Sequence, residues 1–309
     1  MQYSTFRFYS LFFVWKCEPL SSRLPPEGVI QAIISGSRYV AHSVMLRRIL
    51  VRIFLFGLTG ATATGLAPLI AKDLLGGDAA VFGIILGAGG AGAVVGALFV
   101  SYCRARFGTE LATRALIVVT SLALIVAGLS TQLFLTCLAM FIAGAANILI
   151  IALYNVAVQL SAPRWVLART LSFFGASLTG GIALGAWTWG EVASISSVST
   201  AVTASGLTMM ILPIISILLP LKESTLIENE AFTFSIEPEI ELPITMRSGP
   251  IIVEIDYRVS NDAVREFYIH MTKLRSPRLR NGGYNWSISR DIADDNLWTE
   301  RYECRTWGD

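Results

Sequence analysis

VFGIILGAGGAGAVVGALFVSY, residues 81–102, contains no Asp, Glu, Lys, Arg or His. A helix rises 1.5 Å per residue, so about 20 apolar residues cross a hydrocarbon core about 30 Å thick. This stretch is long enough to cross. The same pattern recurs on both sides of it, at 50–71 before it and at 111–130, 133–160, 171–190 and 198–219 after it. The last two are richer in Gly, Ser and Thr. Together these stretches predict six membrane-spanning helices over residues 50–220, and a shorter apolar piece at 6–15 reads as the end of one more crossing. Hydrophobic residues make up 54% of the 309-residue chain and charged ones 15%, where a soluble domain carries about 25% charged. The lipid bilayer is therefore the first partner the sequence implies. The basic residues form no continuous face, which argues against nucleic acid. Cys17, Cys103, Cys137 and Cys304 are scattered, with no CxxC pair and no nearby His. They read as free thiols, with no disulfide or metal site. The N-terminus lacks the basic start and the small-residue cleavage site of a signal peptide.

The joints between spans give an orientation. Lys and Arg near helix ends are retained on the cytoplasmic side. Lys16, Arg23, Arg38, Arg47, Arg48 and Arg52 precede or open the first span. Arg104, Arg106 and Arg114 fall in the joint between the second and third spans, Arg164 and Arg169 in that between the fourth and fifth, and Lys222 follows the sixth. The intervening joints are acidic, balanced or uncharged. Six spans with this alternation predict that the 103–114 and 161–170 loops and the C-terminal tail are cytoplasmic.

Small residues cluster in two spans. Gly83 and Gly87, Gly92 and Gly96, and Gly181 and Gly185 form three Gly-x-x-x-Gly pairs, the spacing that lets two helices approach closely. They suit simple close packing first, and after it helices that rock past one another during alternating access; the two are compatible. Polar groups inside hydrocarbon must face protein or water. At 100° per residue Gly144, Asn147, Ile151, Tyr154 and Asn155 share one face of the fourth span. Asn147, Tyr154 and Asn155 are thus candidates for a solute path, or for hydrogen bonds to a neighbouring helix at about 0.6 kcal/mol each. Thr59, Thr62 and Thr64 more often bond back to their own helix. No Asp, Glu or His lies in the middle of a span, so no carboxylate proton relay and no cofactor or metal set is legible.

After Pro220 the pattern changes. Residues 221–248 form an acidic, Pro-containing linker. Ile251, Val253, Ile255 and Tyr257 then alternate with Glu254, Asp256 and Arg258, the pattern of a strand with one buried face. Ser260 or Asn261 precedes a helix with the apolar stripe Val264, Phe267, Tyr268, Met271 and Leu274. Two further strands follow, at 284–288 and 297–306. Strand–helix–strand–strand is three quarters of a ferredoxin-like unit, and it predicts a sheet with an open edge or face. His270 and the aromatics Tyr284, Trp286, Trp298 and Tyr302 suit a buried sheet face better than a pocket.

Several segments in order resemble a known family. They are Leu24-Pro25-Pro26-Glu27, Gly36-Ser37-Arg38-Tyr39-Val40, Leu46-Arg47-Arg48, Leu74-Leu75-Gly76-Gly77, Tyr154-Asn155-Val156-Ala157-Val158-Gln159-Leu160, Ala162-Pro163-Arg164-Trp165-Val166, Gly249-Pro250 and Gly283-Tyr284-Asn285-Trp286. Together they resemble the bacterial major facilitator group called transmembrane secretion effectors, a group similar to the enterobactin exporter. The resemblance implies an inner-membrane exporter of a small-molecule cargo such as a siderophore or drug. It also implies twelve helices in two halves and an appendage resembling the antibiotic-biosynthesis monooxygenases. On that pattern the chain reads as an all-α polytopic membrane protein, one six-helix half of a major facilitator fold, followed by a truncated α+β ferredoxin-like domain. Residues 1–49 would be the end of a preceding helix and the cytoplasmic central loop, 50–220 the six spans, and 249–309 the shortened appendage. The usual acidic residue of the cytoplasmic Gly-x-x-x-Asp-Arg-x-Gly motif is absent, although Arg104, Arg106 and Gly108 remain. Arg104, Arg106, Arg164 and Arg169 would serve the cytoplasmic gate or the topology. The implied partners are a cargo and a second six-helix half, from another chain or a second copy. No catalytic residue is predicted. The competing readings are a membrane-tethered monooxygenase-like domain and a non-transporting remnant.

Overall fold

The computed structural model describes residues 29–221 and 248–307. The apolar piece at 6–15 and nearly all of the acidic linker lie outside the described residues. The spans belong to one compact unit and the C-terminal sheet to another.

Among the described residues six helices are long and apolar enough to cross a membrane. A shorter helix, α1 (Val29–His42), precedes them. The spans are α2 (Val44–Leu74), α3 (Ala79–Leu98), α4 (Val100–Leu129), α5 (Leu133–Ser161), α6 (Arg164–Ile195) and α7 (Val198–Leu218). Their ends follow ordinary helix chemistry. Ser43 caps α2 by accepting from Leu46 N–H, Asp78 caps α3 by accepting from Ala80 and Val81, and Ser197 caps α7 by accepting from Thr200. Each supplies an acceptor to otherwise unpaired first-turn N–H groups.

The expected loop at 103–114 is helical instead. Residues 100–107 form a short helix that breaks at Gly108 (φ 67°, ψ 169°), and the span proper begins at Thr109. Only glycine adopts that conformation without strain, so a helix-compatible sequence still turns there. The first span likewise starts earlier than its apolar run, at Val44, which places Arg47 and Arg48 on the helix with Arg52.

Glycines set the closest helix contacts. A Cβ at Gly92 or Gly96 of α3 would collide with the carbonyls of Phe141 and Ala145 on α5, and one at Gly181 or Gly185 of α6 with those of Phe54 and Leu58 on α2. Gly83 and Gly87 have nothing within 4 Å, so that pair faces away from the described helices. The break in α2 near Ala61 is tied to α7 by Thr62 Oγ1 and Ser205 Oγ at 2.7 Å, whereas Thr59 and Thr64 bond back to their own helix.

The C-terminal unit is a three-stranded antiparallel sheet in the order β1–β3–β2, with β1 at Ile251–Arg258, β2 at Tyr284–Arg290 and β3 at Leu297–Cys304. Helix α8 (Val264–Arg280) lies between β1 and β2 in the chain. Ile251 pairs with Cys304 and Arg258 with Leu297, which leaves the other edge of β1 unpaired among the described residues. Tyr257, Trp298, Glu300 and Tyr302 share the face that meets the Phe267 and Tyr268 rings of α8.

Candidate solute cavity and the charge cluster at the helix ends

Five spans line an open cavity of about 390 Å³ midway along the bundle. Its walls are Phe56, Gly57, Gly60 and Thr64 of α2, Ile85, Gly89 and Gly90 of α3, Thr120 and Leu124 of α4, Met140, Gly144, Asn147 and Ile151 of α5, and Leu178 and Ile182 of α6. Of the lining glycines Gly90 faces open space, whereas Gly57 and Gly144 lie in close helix contacts, against the Leu178 and Gly89 carbonyls.

Asn147 sits at the midpoint of α5, fourteen residues from either end. Its Oδ1 is buried without a hydrogen-bond partner. The other two polar walls are occupied differently. Thr120 Oγ1 donates to Leu116 O at 2.9 Å and Thr64 Oγ1 to Ala61 O at 3.5 Å. Such back-bonding uses the single donor of each hydroxyl.

The three residues singled out on α5 do not meet in one place. Asn147 lines the cavity together with Gly144 and Ile151. Tyr154, on the same face but two turns further on, is fully buried beside Arg52 and Thr113. Asn155 accepts from Gln159 Nε2 at 2.6 Å near the end of the helix. The cavity closes at Ile151, and the face continues into packed side chains.

The arginines of the joints separate in the same way. Arg104 and Arg106 are exposed on the short helix before Gly108. Arg169 donates to Ser35 Oγ at 2.7 Å, linking α6 to α1. The side chain of Arg164 lies outside the described residues.

The most elaborate polar arrangement of the spans was not singled out in the sequence. Arg52 of α2 forks onto Glu110 of α4, Nη1 to Oε2 at 2.8 Å and Nη2 to Oε1 at 3.1 Å. Arg114, one turn along α4, donates to Glu110 Oε1 at 2.5 Å. Both arginines also reach the end of α7. Arg52 donates to Ser216 O at 2.7 Å and to Leu219 O, and Arg114 donates to Ser216 Oγ and O at 3.2 and 3.1 Å. Ser216 Oγ and Leu221 N–H donate to the Glu110 carboxylate, and Arg48 donates to Pro220 O. The last carbonyls of a helix have no intrahelical partner and carry its negative dipole end, so guanidinium groups satisfy both needs. The legible signal was Glu110 and Arg114 at i, i+4 with opposite charge, and Arg52 already inside an apolar run.

In the C-terminal unit Glu300 is the corresponding hub. Its side chain is completely buried. Oε1 accepts from Trp286 Nε1 at 2.8 Å and Arg278 Nε at 3.2 Å, and Oε2 accepts from Tyr257 Oη at 3.0 Å and Arg278 Nη2 at 3.3 Å. Burial and the neighbouring Glu300 carboxylate push the Tyr257 phenol up to about 12. His270 is exposed, with Nδ1 on the Glu266 carbonyl at 2.8 Å. No group of three or more potential metal-binding side chains occurs among the described residues.

Six helices long and apolar enough to cross a membrane, five of them lining a cavity, describe a multi-pass membrane protein. The family model for the transmembrane secretion effectors matches residues 2–309, and the chain belongs to that family of major facilitator membrane transporters. No curated protein matches it.

Proposed function

We propose that this chain exports a small molecule from the bacterial cytoplasm by alternating access, as one six-helix wall of a major facilitator exporter akin to the enterobactin exporter. The cavity at mid-depth, with Asn147 unpaired in its wall, carries this reading, because major facilitator substrates bind near the bilayer midplane between repeats. The second wall is supplied by another six-helix half. In support, α3 and α6 are the least covered spans, and Gly87, Gly90, Gly175 and Gly180 on them have nothing within 4 Å. The arginine-bearing ends, with Arg104, Arg106, Arg164 and Arg169, are cytoplasmic, as is the tail. The C-terminal unit is a ferredoxin-like appendage.

The test is export from cells carrying this chain together with an N-terminal six-helix half of the family. Cargo accumulation must fall relative to cells carrying neither, and an unchanged level rejects the proposal. A reporter enzyme fused after Leu221 reads the orientation, since an extracytoplasmic signal would reverse the assignment. The aromatic side chains Tyr257, Trp286 and Tyr302 gathered around the buried Glu300 favour a second reading, a monooxygenase-like C-terminal unit acting on an aromatic or quinone-like molecule. Oxygen uptake by the whole chain with such a substrate tests it, and none removes it.

A further inference from the structure

We infer that the outer face of α8 docks onto an anionic lipid surface, so that the C-terminal unit is held against the bilayer by more than its tether. The inner face of this helix is spent on the sheet. Phe267 meets the Tyr257 and Trp298 rings, Met271 is buried, and Arg278 is bonded to Glu300. At 100° per residue the opposite arc, about 160° wide, carries Arg265, Lys273, Arg275 and Arg280 and no acidic residue. Glu266, the one acid of the helix, lies just beyond its edge. Arg265, Lys273 and Arg275 are exposed and make no ion pair among the described residues. Within the same arc Tyr268 is 52% and Ile269 47% exposed. Acidic residues of this unit lie elsewhere, with Glu254 and Asp256 on β1 and Asp291, Asp294 and Asp295 between β2 and β3. A cationic face holding an isoleucine and a tyrosine suits a phospholipid surface. The guanidinium and ammonium groups reach headgroup phosphates while the apolar side chains enter the boundary with the acyl chains. The bilayer is also within reach, because residues 222–247 span at most about 95 Å even when fully extended. A contact of a few basic residues then suffices, since the tether removes most of the entropic cost of finding the surface. The rival occupant is the tether itself, with six glutamates between Glu223 and Glu241. Lys273 and Arg275 stand on opposite flanks of the arc, further apart around the helix than one extended segment covers, and this favours the lipid surface.

The test uses the full chain, one copy per lipid nanodisc, with its four cysteines replaced by alanine and Thr272→Cys carrying an NBD fluorophore. Thr272 is exposed within the arc, and NBD emission moves to the blue as the dye leaves water. The shift is expected in phosphatidylcholine containing about 30% phosphatidylglycerol and should be largely lost in phosphatidylcholine alone. About 0.5 M salt should reverse it, because the Debye length is then only about 4 Å. The same dye at Ser287→Cys, exposed on β2, should not respond. A basic residue at such a surface contributes about a fivefold preference, so Arg265→Gln, Lys273→Gln and Arg275→Gln should each lower the docked-to-free ratio about fivefold. Equal emission in the two lipids overturns the inference. So does a shift in both lipids that disappears when the six tether glutamates become Gln, which assigns the face to the tether. A shift seen only with two chains per disc also overturns it and assigns the face to a second copy. The lipid and salt comparisons are made with the basic face intact, so they stand even if a substitution misfolds. Both leaflets carry the same lipid, so the outcome depends neither on the orientation of the tail nor on the export reading.

Discussion

Replacing Glu110 by Gln removes the one negative charge that two guanidinium groups share. The Arg52 side chain is only 4% exposed, whereas Glu110 is 25% exposed. Breaking a buried ion pair from one side costs about 3–5 kcal/mol, because a charge is left unpaired. The partial exposure of Glu110, and the one acceptor that Gln retains, place the expected loss near the bottom of that range, about 3 kcal/mol. On the scale of domains of 150–250 residues, where 1 kcal/mol shifts Tm by about 2–4 °C, this predicts a fall of about 6–12 °C. Arg52→Lys keeps the charge but loses the fork that reaches Glu110 and the α7 carbonyls together, and should give about half that fall. Thermal unfolding of the detergent-purified chain can be followed by maleimide labelling of its four cysteines. Arg104→Gln, on the exposed helix before Gly108, is the control and should leave Tm unchanged. If Glu110→Gln and Arg104→Gln unfold within about a degree of each other, the cluster does not hold the helix ends and the reasoning fails.

Adjacent glycines of α6 should behave oppositely. Gly181→Ala drives a methyl group into the Phe54 carbonyl and should lose about 1–3 kcal/mol, whereas Gly180→Ala meets nothing within 4 Å and should be neutral or gain up to about 1 kcal/mol of helix propensity. The same labelling assay ranks them, and a reversed order would contradict the α2–α6 contact. Glu300→Gln leaves the Arg278 guanidinium without its anion and should destabilise the C-terminal unit by about 3–5 kcal/mol. Limited proteolysis should then cleave within 248–307 while the spans persist. Tyr257 ionises late, at about 12 against the ordinary 10. A raised acid pKa contributes stability that is full below pH 10 and is lost as pH rises towards 12. The phenolate absorbance of the native chain minus that of Tyr257→Phe should show its step near 12, and a step near 10 would remove the Glu300 contact from the account.

Much of the membrane unit was legible because the signal is long and physically simple. Each crossing must bury about 20 residues' worth of backbone in hydrocarbon, and every one of the six apolar runs became a helix. Where charge and helix coincide, the reading stopped short. Glu110 interrupts apolarity and so marks a joint in a hydropathy pattern, although α4 runs through it, and Arg52 and Arg114 lie just inside apolar runs, where hydropathy reads them only as helix-end charges. Asn147 was visible as an isolated amide in a span. That Tyr154, on the same face, lies in packed surroundings was not visible, because facial periodicity says nothing about the depth at which a cavity ends. In the C-terminal unit the alternation from Ile251 to Arg258 fixed the strand. Glu300 sits in a Thr-Glu-Arg run that looks like solvent, and only the convergence of Trp286, Tyr257 and Arg278 from other elements explains its burial.

The bonds from Arg48, Arg52, Arg114 and Glu110 to residues 216–221 also bear on where this polypeptide can be divided. A chain cut after Leu221 retains every one of them, so the helical unit ends in a finished terminus to which other tails could be grafted. A cut only six residues earlier, after Ile215, strips α2 and α4 of their shared ligand and leaves two guanidinium groups and a carboxylate facing a vacated groove. The boundary for dissecting the protein is therefore set by hydrogen bonding, one residue past the proline that hydropathy alone would choose.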